Sequence, residues 1–325
     1  MGLSHITANT DLPSLGHAVR AVPGAYRFAH EAMAAIFEII TVHPDVLYAE
    51  QAAWAAFELL DRLEQELSRY VENSDISRIN SLAADQPVLV GPAAFECLEI
   101  SARIHGETDG AFDVTTGCLV DFWRDMNSVA QPFREKDLRC ARRQSGMHLV
   151  ELDKSSHTVR LRAHGVRIDL GGIGKGYAVD SMARVVRDWG IDDALIHGGR
   201  STALAIGKPA KQKGWLVSLM HPDSGKDVLG PVNLSDRALS GSGLQKGLHI
   251  VDPRTSRPAV HRRAAWSCAP QATLADALST AFMIMTPEEI ERYCANRPEV
   301  TAIVALDTGG SEANEVCVQC YGRDL

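Results

Sequence analysis

Val166-Arg-Ile-Asp-Leu-Gly-Gly-Ile-Gly-Lys-Gly-Tyr-Ala-Val-Asp180 reads as a short apolar strand, an acid, a glycine cluster, a lysine and the start of a helix. Asp169 closes the strand. Gly171, Gly172, Gly174 and Gly176 let the backbone turn sharply and come close to a ligand. Beyond them Ala178, Val179, Met182, Val185 and Val186 recur at helical spacing, which predicts a one-sided helix over 175–189. The free amides and positive dipole end at its N-terminus suit a phosphate. Neither familiar phosphate fingerprint is met. Asp169 and Gly176 stand where a P-loop needs its first glycine and its Ser or Thr, and Tyr177 stands where a dinucleotide fingerprint needs its third glycine. Two readings stay open for the stretch by itself: an anion cradle of a third kind, or a tight strand-to-helix connection with no ligand.

The surrounding chain of 325 residues is long enough for one large or two ordinary domains with a sizeable core. Its 45% hydrophobic and 23% charged residues are those of a soluble globular protein. Lys and Arg number 33 against 41 Asp and Glu, a formal charge of −8, which argues against a nucleic-acid surface. No apolar run approaches the roughly 18 residues of a membrane span. Residues 1–23 contain no hydrophobic signal region, so the chain as written reads as cytoplasmic. Seven scattered cysteines favour free thiols over a disulfide framework. Cys317 and Cys320 alternate with Val316 and Val318, which fits a strand better than a zinc site.

In order, residues 1–25 read as an irregular lead, and 26–42 as strand with Met33 near its middle. A long helix over 45–70 places Leu47, Ala52, Ala56, Leu59, Leu60, Leu63 and Leu67 on one side. Ser74 is placed to cap a short helical turn. Helices are predicted over 92–105 and 135–144. A hairpin over 147–152 and 158–161 leads into the strand before Asp169. Strands near 194–197, 203–206 and 215–220 precede a polar, Gly-rich stretch over 234–257. Helices over 270–285 and 287–295 and two final strands complete the chain. Strands and helices do not alternate strictly, so the expected class is α+β, with mixed and antiparallel sheets and packed helices, rather than a doubly wound sheet.

Three polar constellations fall outside the glycine turn. On the helix from Thr273, Asp276 and Thr280 are four apart and share a face. A carboxylate and a hydroxyl are hard oxygen ligands suited to Mg²⁺; a first-turn acid beside a threonine bonded to a carbonyl is the other reading. His249 and Asp252 can move protons, and Arg254, between Pro253 and Pro258, can hold a phosphate; a polar turn is the other reading. Asp113 follows Phe112 in a Gly-rich turn, where it either binds a ligand or caps the next segment.

Taken together, five stretches in order resemble the ApbE family, the FAD:protein FMN transferases. They are Leu67-Ser-Arg-Tyr with Ser74-Asp-Ile-Ser-Arg-Ile-Asn80, Gly110-Ala-Phe-Asp-Val-Thr115, Asp169-Leu-Gly-Gly-Ile-Gly-Lys-Gly-Tyr-Ala178, His249-Ile-Val-Asp-Pro-Arg-Thr255 and Ala275-Asp-Ala-Leu-Ser-Thr280. The resemblance covers roughly residues 28–306. It implies one T-fold-like, two-lobed domain over 26–325, with FAD between the lobes. It also implies a Mg²⁺-dependent transfer of FMN from FAD to a Thr or Ser hydroxyl of an acceptor protein, releasing AMP. Mg²⁺ would be held by Asp276, Thr280 and the Gly172 carbonyl. FAD would meet Met33, Tyr70, Ala111, Phe112, Asp113, Asp169, Lys175 and the His249–Ile250 backbone. His249 would handle protons, with Asp276 as the second catalytic residue.

The chain also departs from the family pattern. Met-Gly-Thr is here Met33-Ala34-Ala35, Gly-Gly-Asp is Gly198-Gly199-Arg200, and Thr-Ser-Gly is Gly241-Ser242-Gly243. A longer aromatic-containing loop is reduced to residues 244–248, and Arg-Thr-Gly is Arg254-Thr255-Ser256. These changes gather at the expected ligand edge, and the metal ligands and Lys175 are kept. A flavin-binding homologue without transfer, and a Mg²⁺-dependent FAD pyrophosphatase giving FMN and AMP, are the alternative functions.

Overall fold

The computed structural model describes residues 22, 24–128, 133–220, 228, 230–244, 247, 249–307 and 316–323. The predicted lead lies outside the described residues except at its end, where β1 begins at Ala25. The elements of the first half are β1 (Ala25–Ala32), β2 (Ala35–Val42), α1 (Val46–Leu67), α2 (Asp75–Ser81), β3 (Pro87–Leu89), α3 (Pro92–Glu107), α4 (Gly117–Ser128), α5 (Glu135–Arg143), β4 (Val150–Asp153) and β5 (Thr158–Leu161). There follow α6 (Gly174–Asp188), β6 (Ala194–Gly198), β7 (Thr202–Ile206), β8 (Trp215–Val217), β9 (Val232–Leu234), β10 (Ala238–Gly243), β11 (Val251–Asp252), β12 (Arg257–Pro258), β13 (Arg262–Ala269), α7 (Ala272–Phe282), α8 (Pro287–Ala295), β14 (Thr301–Asp307) and β15 (Val316–Tyr321).

Eight strands form one antiparallel sheet in the order β1-β2-β6-β7-β10-β13-β14-β15. Its edges are the first and last strands among the described residues, so both halves of the sequence share one sheet. The α+β class with antiparallel sheets is what forms. Successive strand residues enter opposite cores, as a period of two requires. On β7, Leu204 and Ile206 join the core under α1, α6 and α7, while Ala203 and Ala205 join a second core closed by Trp215, Val217, Val232 and Leu234. Strands buried on both faces carry apolar runs rather than a polar alternate, and β6 and β7 read that way apart from the buried His197 and Thr202.

α7 packs against α6 and against β10 and β13 of the sheet, and nine of its eleven residues are buried. It brings no N-cap of its own. Asp180 of α6 supplies one: its carboxylate accepts the Ala272 amide at 2.8 Å, the Thr273 amide at 2.8 Å and the Thr273 hydroxyl at 2.5 Å. Burial pushes the Asp180 carboxyl up despite these three donors.

Several expectations are corrected. Residues 26–42 are two strands, and Met33 and Ala34 form the turn between them with φ of 51° and 54°. A two-residue hairpin loop of this hand matches the sheet's twist but usually recruits Gly or Asn. The long helix ends at Leu67, and Leu47 points outward at 66% exposure, because α1 buries Ala49, Ala52, Ala53 and Ala56 instead. The strand near 215–220 is only Trp215–Val217. The polar stretch 234–257 contains β10 and β11, and β13 arises where no element was expected. No strand precedes Asp169: the segment has one isolated bridge, Thr116 to Arg167.

Candidate functional site

Asn80, at the end of α2, does the work of the missing strand partner. Its amide group donates to the Ile168 carbonyl at 2.9 Å, and its Oδ1 accepts the Ile168 amide at 2.7 Å. The next amide, of Asp169, donates to Val114 O at 2.7 Å. Asp169 then accepts the Gly171 amide on Oδ1 at 2.8 Å and faces Arg69 from Oδ2 at 3.3 Å. Arg69 also binds Asp121 at 2.7 Å. Burial pulls the Arg69 guanidinium down, but Asp169 and Asp121 outweigh it and hold its pKa above the ordinary value.

The glycines serve close approach rather than a special backbone hand. None of Gly171, Gly172, Gly174 and Gly176 takes a positive φ; the expected sharp turn forms all the same, closed by the Ile173 and Gly174 amides on the Leu170 carbonyl at 3.0 and 2.7 Å. A Cβ on Gly176 would stand 2.2 Å from the Ala272 carbonyl oxygen, so only glycine lets α6 and α7 meet there. A Cβ on Gly172 would come 3.1 Å from Thr280 Oγ1. The Gly176 amide, one of the unpaired donors of a helix first turn, donates to Asp276 Oδ2 at 3.0 Å. Lys175 Nζ lies 3.8 Å from the same oxygen and donates to the Gly171 carbonyl at 3.3 Å. Asp276 Oδ1 accepts from Ser240 at 3.2 Å, and Ser242 bridges Ser279 at 2.8 Å and Thr280 at 3.2 Å. Residues from three separate stretches thus meet as one carboxylate, one ammonium and a row of hydroxyls.

Above them opens a cavity of about 900 Å³. Of the predicted residues, Met33, Tyr70, Asp169 and Lys175 line it. Tyr70 is 77% exposed, with Arg69 over its ring at 5.0 Å. Met33 is held by a hydrogen bond from its amide to Glu64 at 2.8 Å, so the strained β1–β2 turn is braced where it meets the cavity.

Other predicted residues stand apart from that wall. Ala111 and Phe112 are buried in the core, the Phe112 ring against Gly172. Asp113 is buried and accepts the Thr115 amide and hydroxyl at 2.7 and 2.6 Å and the Met147 amide at 3.2 Å, so it braces its own turn. Ile250 packs in the core, and its carbonyl accepts the Ala259 amide. His249 Nδ1 lies 2.9 Å from the Gly247 carbonyl. Arg254 is engaged by Asp252 at 3.2 Å and Glu289 at 2.8 Å, which ties the β11–β12 hairpin to α8 instead of leaving a free cation.

The cavity has further walls that sequence reasoning did not supply: Glu64, Met220 and Trp266. Trp266 sits in β13, where one large aromatic among small residues was the available signal.

Fold and site together define an α+β protein with a large cavity lined by a Gly-Lys helix start and Ser242. Asp276 and Thr280, bonded to these residues, lie behind that lining and not in it, and a helix start with a carboxylate and hydroxyls is the equipment of a phosphate-ester site. The sequence pattern of the ApbE family matches residues 33–304, and the chain belongs to that family. The FAD:protein FMN transferase of Escherichia coli is 29% identical over 246 residues, covering 71% of this chain and 70% of that protein. That of Salmonella typhimurium is 26% identical over 287 residues, covering 83% and 81%. The fold is shared with the flavin transferase ApbE of Vibrio cholerae, at TM-score 0.78 and 22% identity over 91% of this chain and 97% of the other. The ApbE protein of Thermotoga maritima gives TM-score 0.79 at 24% identity, with the same coverage.

Proposed function

We propose that this chain moves FMN from FAD to a Thr or Ser hydroxyl of an acceptor protein, with release of AMP. Family membership and the activity named for its relatives support the reaction class. On the chain itself, the observation that carries the reading is the meeting of Lys175, Asp276 and Thr280 beneath a cavity of about 900 Å³. That volume is near the upper end for small-molecule sites, as a dinucleotide requires.

The residues fit a magnesium ion. Asp276, Thr280 and the Gly172 carbonyl offer hard oxygen donors, and the missing Cβ of Gly172 keeps open the space beside Thr280 Oγ1. Among the described residues no three His, Cys, Asp or Glu side chains gather into a metal-binding group. A site with one carboxylate leaves its other positions to phosphate oxygens and water, as Mg²⁺ prefers. Bound there, the ion would neutralise charge on the phosphoanhydride.

The protein's own groups do the rest. Lys175 sets a positive charge over the phosphates, and Asp169 with Arg69 fixes the turn that carries it. The acceptor hydroxyl oxygen attacks the FMN phosphorus, the bond to the AMP oxygen breaks, and AMP leaves with the electron pair. The family resemblance gives the hydroxyl proton to His249, which stands outside the cavity lining with its Nδ1 2.9 Å from the Gly247 carbonyl. Such a transfer needs positioning and charge neutralisation more than covalent help.

The test is incubation with FAD, Mg²⁺ and acceptor proteins from the same genome, followed by intact mass and AMP measurement. An FMN mass increase with equal AMP is the expected result. AMP without any acceptor would identify a pyrophosphatase. Flavin binding with neither product would identify a homologue without transfer, a second reading that Arg200 and the short 244–248 segment favour.

A further inference from the structure

We propose that Trp266 and Arg200 form an anion subsite in the cavity wall, which binds a phosphate group of the flavin nucleotide apart from the Lys175–Asp276 floor. The proposal rests on the flavin-nucleotide reading of the cavity.

Trp266 is only 5% exposed, yet it lines the cavity. A buried indole N–H ordinarily finds an acceptor. Trp215 donates to the Ile206 carbonyl at 3.2 Å and Trp123 to the Ser256 carbonyl at 3.0 Å. Trp266 Nε1 has no acceptor among the described residues, and it is not sealed from solvent as the unpartnered buried atoms of the core are. A donor left open on a cavity wall is a place for a ligand oxygen.

Gly241 keeps that donor open. It pairs with Trp266 across β10 and β13, so both positions face the same side of the sheet. A Cβ on Gly241 would stand 2.5 Å from Cδ1 and 2.6 Å from Nε1 of Trp266. Any side chain there would cover or displace the edge that carries the N–H. The resembling family has Thr at this point of its pattern, so the open indole edge belongs to this chain.

Charge indicates what the donor takes. The other charged groups of the wall are engaged: Glu38 with Arg27, Glu64 with the Met33 amide, Asp169 with Arg69, and Lys175 with Asp276. Arg200 also lines the cavity, next to Ser201, whose carbonyl accepts the amide of Gly241, the partner of Trp266, at 2.8 Å; it is exposed and has no ion-pair partner among the described residues. An unpaired guanidinium and an unpaired N–H in one cavity select an anionic oxygen. The burial of Trp266 favours a group of the enclosed small molecule over a side chain of a protein docked outside.

The experiment measures dissociation constants of FAD, FMN, AMP and riboflavin for the full-length chain and for Trp266→Phe, Gly241→Ala and Arg200→Gln. Trp266→Phe keeps an aromatic ring and removes the donor. It and Arg200→Gln are expected to weaken FAD about tenfold or more, the scale of a hydrogen bond to a charged group. Riboflavin, which has no phosphate, should be unmoved by either. Gly241→Ala should follow Trp266→Phe. A loss shared with FMN assigns the flavin-side phosphate, and one shared with AMP assigns the adenylate phosphate. FAD binding within twofold of the parent in both Trp266→Phe and Arg200→Gln overturns the subsite. So does an equal loss for riboflavin, or a change confined to the KM of an acceptor protein. Arg200 is exposed, so its variant keeps the test standing if a β13 variant misfolds. A parent chain that binds neither FAD nor its parts removes the flavin reading itself, and the subsite with it.

Discussion

The Gly176 amide donates to Asp276 Oδ2 at 3.0 Å, across 100 residues of sequence. This bond ties the first turn of α6 to the middle of α7. It also sets the buried carboxylate at the positive end of a helix, where a negative charge is favoured. The same oxygen lies 3.8 Å from Lys175 Nζ. A single side chain therefore holds the glycine turn in place and faces the ammonium that would meet a phosphate.

Asp276→Asn separates these two roles. The amide oxygen of Asn can still accept from Gly176, so the fold should survive, with a stability change of about 1–2 kcal/mol from the lost charge partner of Lys175. A neutral oxygen does not replace a carboxylate beside a diphosphate, so FAD affinity should become insensitive to added Mg²⁺ and AMP release should fall by orders of magnitude. Thr280→Ala should act in the same direction but less, because water can replace a neutral ligand. Titration of FAD with and without Mg²⁺ checks the order. Parental turnover in Asp276→Asn would reduce α7 to core packing.

Asn80→Ala should destabilise the chain by about 2–4 kcal/mol. It removes two hydrogen bonds and leaves the Ile168 amide and carbonyl without partners in a partly buried segment. The loss should extend to FAD affinity, because Ile168 leads directly into Asp169 and the turn. Urea unfolding followed beside flavin binding tests both. A midpoint within experimental scatter of the parent would mean that the Asp169 to Val114 bond suffices to hold the segment.

The sequence was most readable where side-chain periodicity matches what the fold buries. α6 appeared from its apolar stripe, and the α7 helix with its Asp276–Thr280 face from four-residue spacing. β13 did not, because Arg262–Ala269 is buried on both faces and is built largely of small residues, which leaves no strong alternation. That is also why Trp266 escaped notice as a cavity residue. The strand expected at 166–169 failed for another reason. Its apolar residues do go inside, but their backbone partner is a side chain, Asn80, which no strand periodicity encodes. Arg254 looked available in sequence, and only the approach of α8 shows it paired with Glu289.

Glu66 provides a pH test. Burial first, and then the charge of Asp75, raise its carboxyl above 4.5, and one of its oxygens is buried without a partner. A raised folded-state pKa means that the native state holds this proton more firmly than the unfolded chain. The group's contribution to stability is therefore complete below about 4.5 and is lost as pH rises through the folded value. Glu66→Gln removes the titration. Its urea midpoint should change less than the parent's between acid and neutral pH, and at neutral pH it should be at or above the parent's. Parallel pH profiles for the two proteins would show that Glu66 does not titrate differently in the folded state.

Ser256→Gly should stabilise the chain. Ser256 takes φ 61°, a left-handed conformation that burdens a side chain by roughly 1–2 kcal/mol. It is 1% exposed, and its hydroxyl is buried without a hydrogen-bond partner, a further burden on the folded state. Glycine keeps the backbone bonds that define the turn, the Ser256 amide to Asp252 at 2.7 Å and the Ser256 carbonyl to Trp123. Against this stands the greater freedom of glycine in the unfolded chain, roughly 0.5–1 kcal/mol. The balance favours the variant by about 1 kcal/mol, read as a higher urea midpoint with an unchanged slope. FAD affinity should not move, because Ser256 lies outside the cavity wall. A midpoint at or below the parent's would mean that the backbone at this turn is not strained, and that the departure from the family's glycine costs the fold nothing.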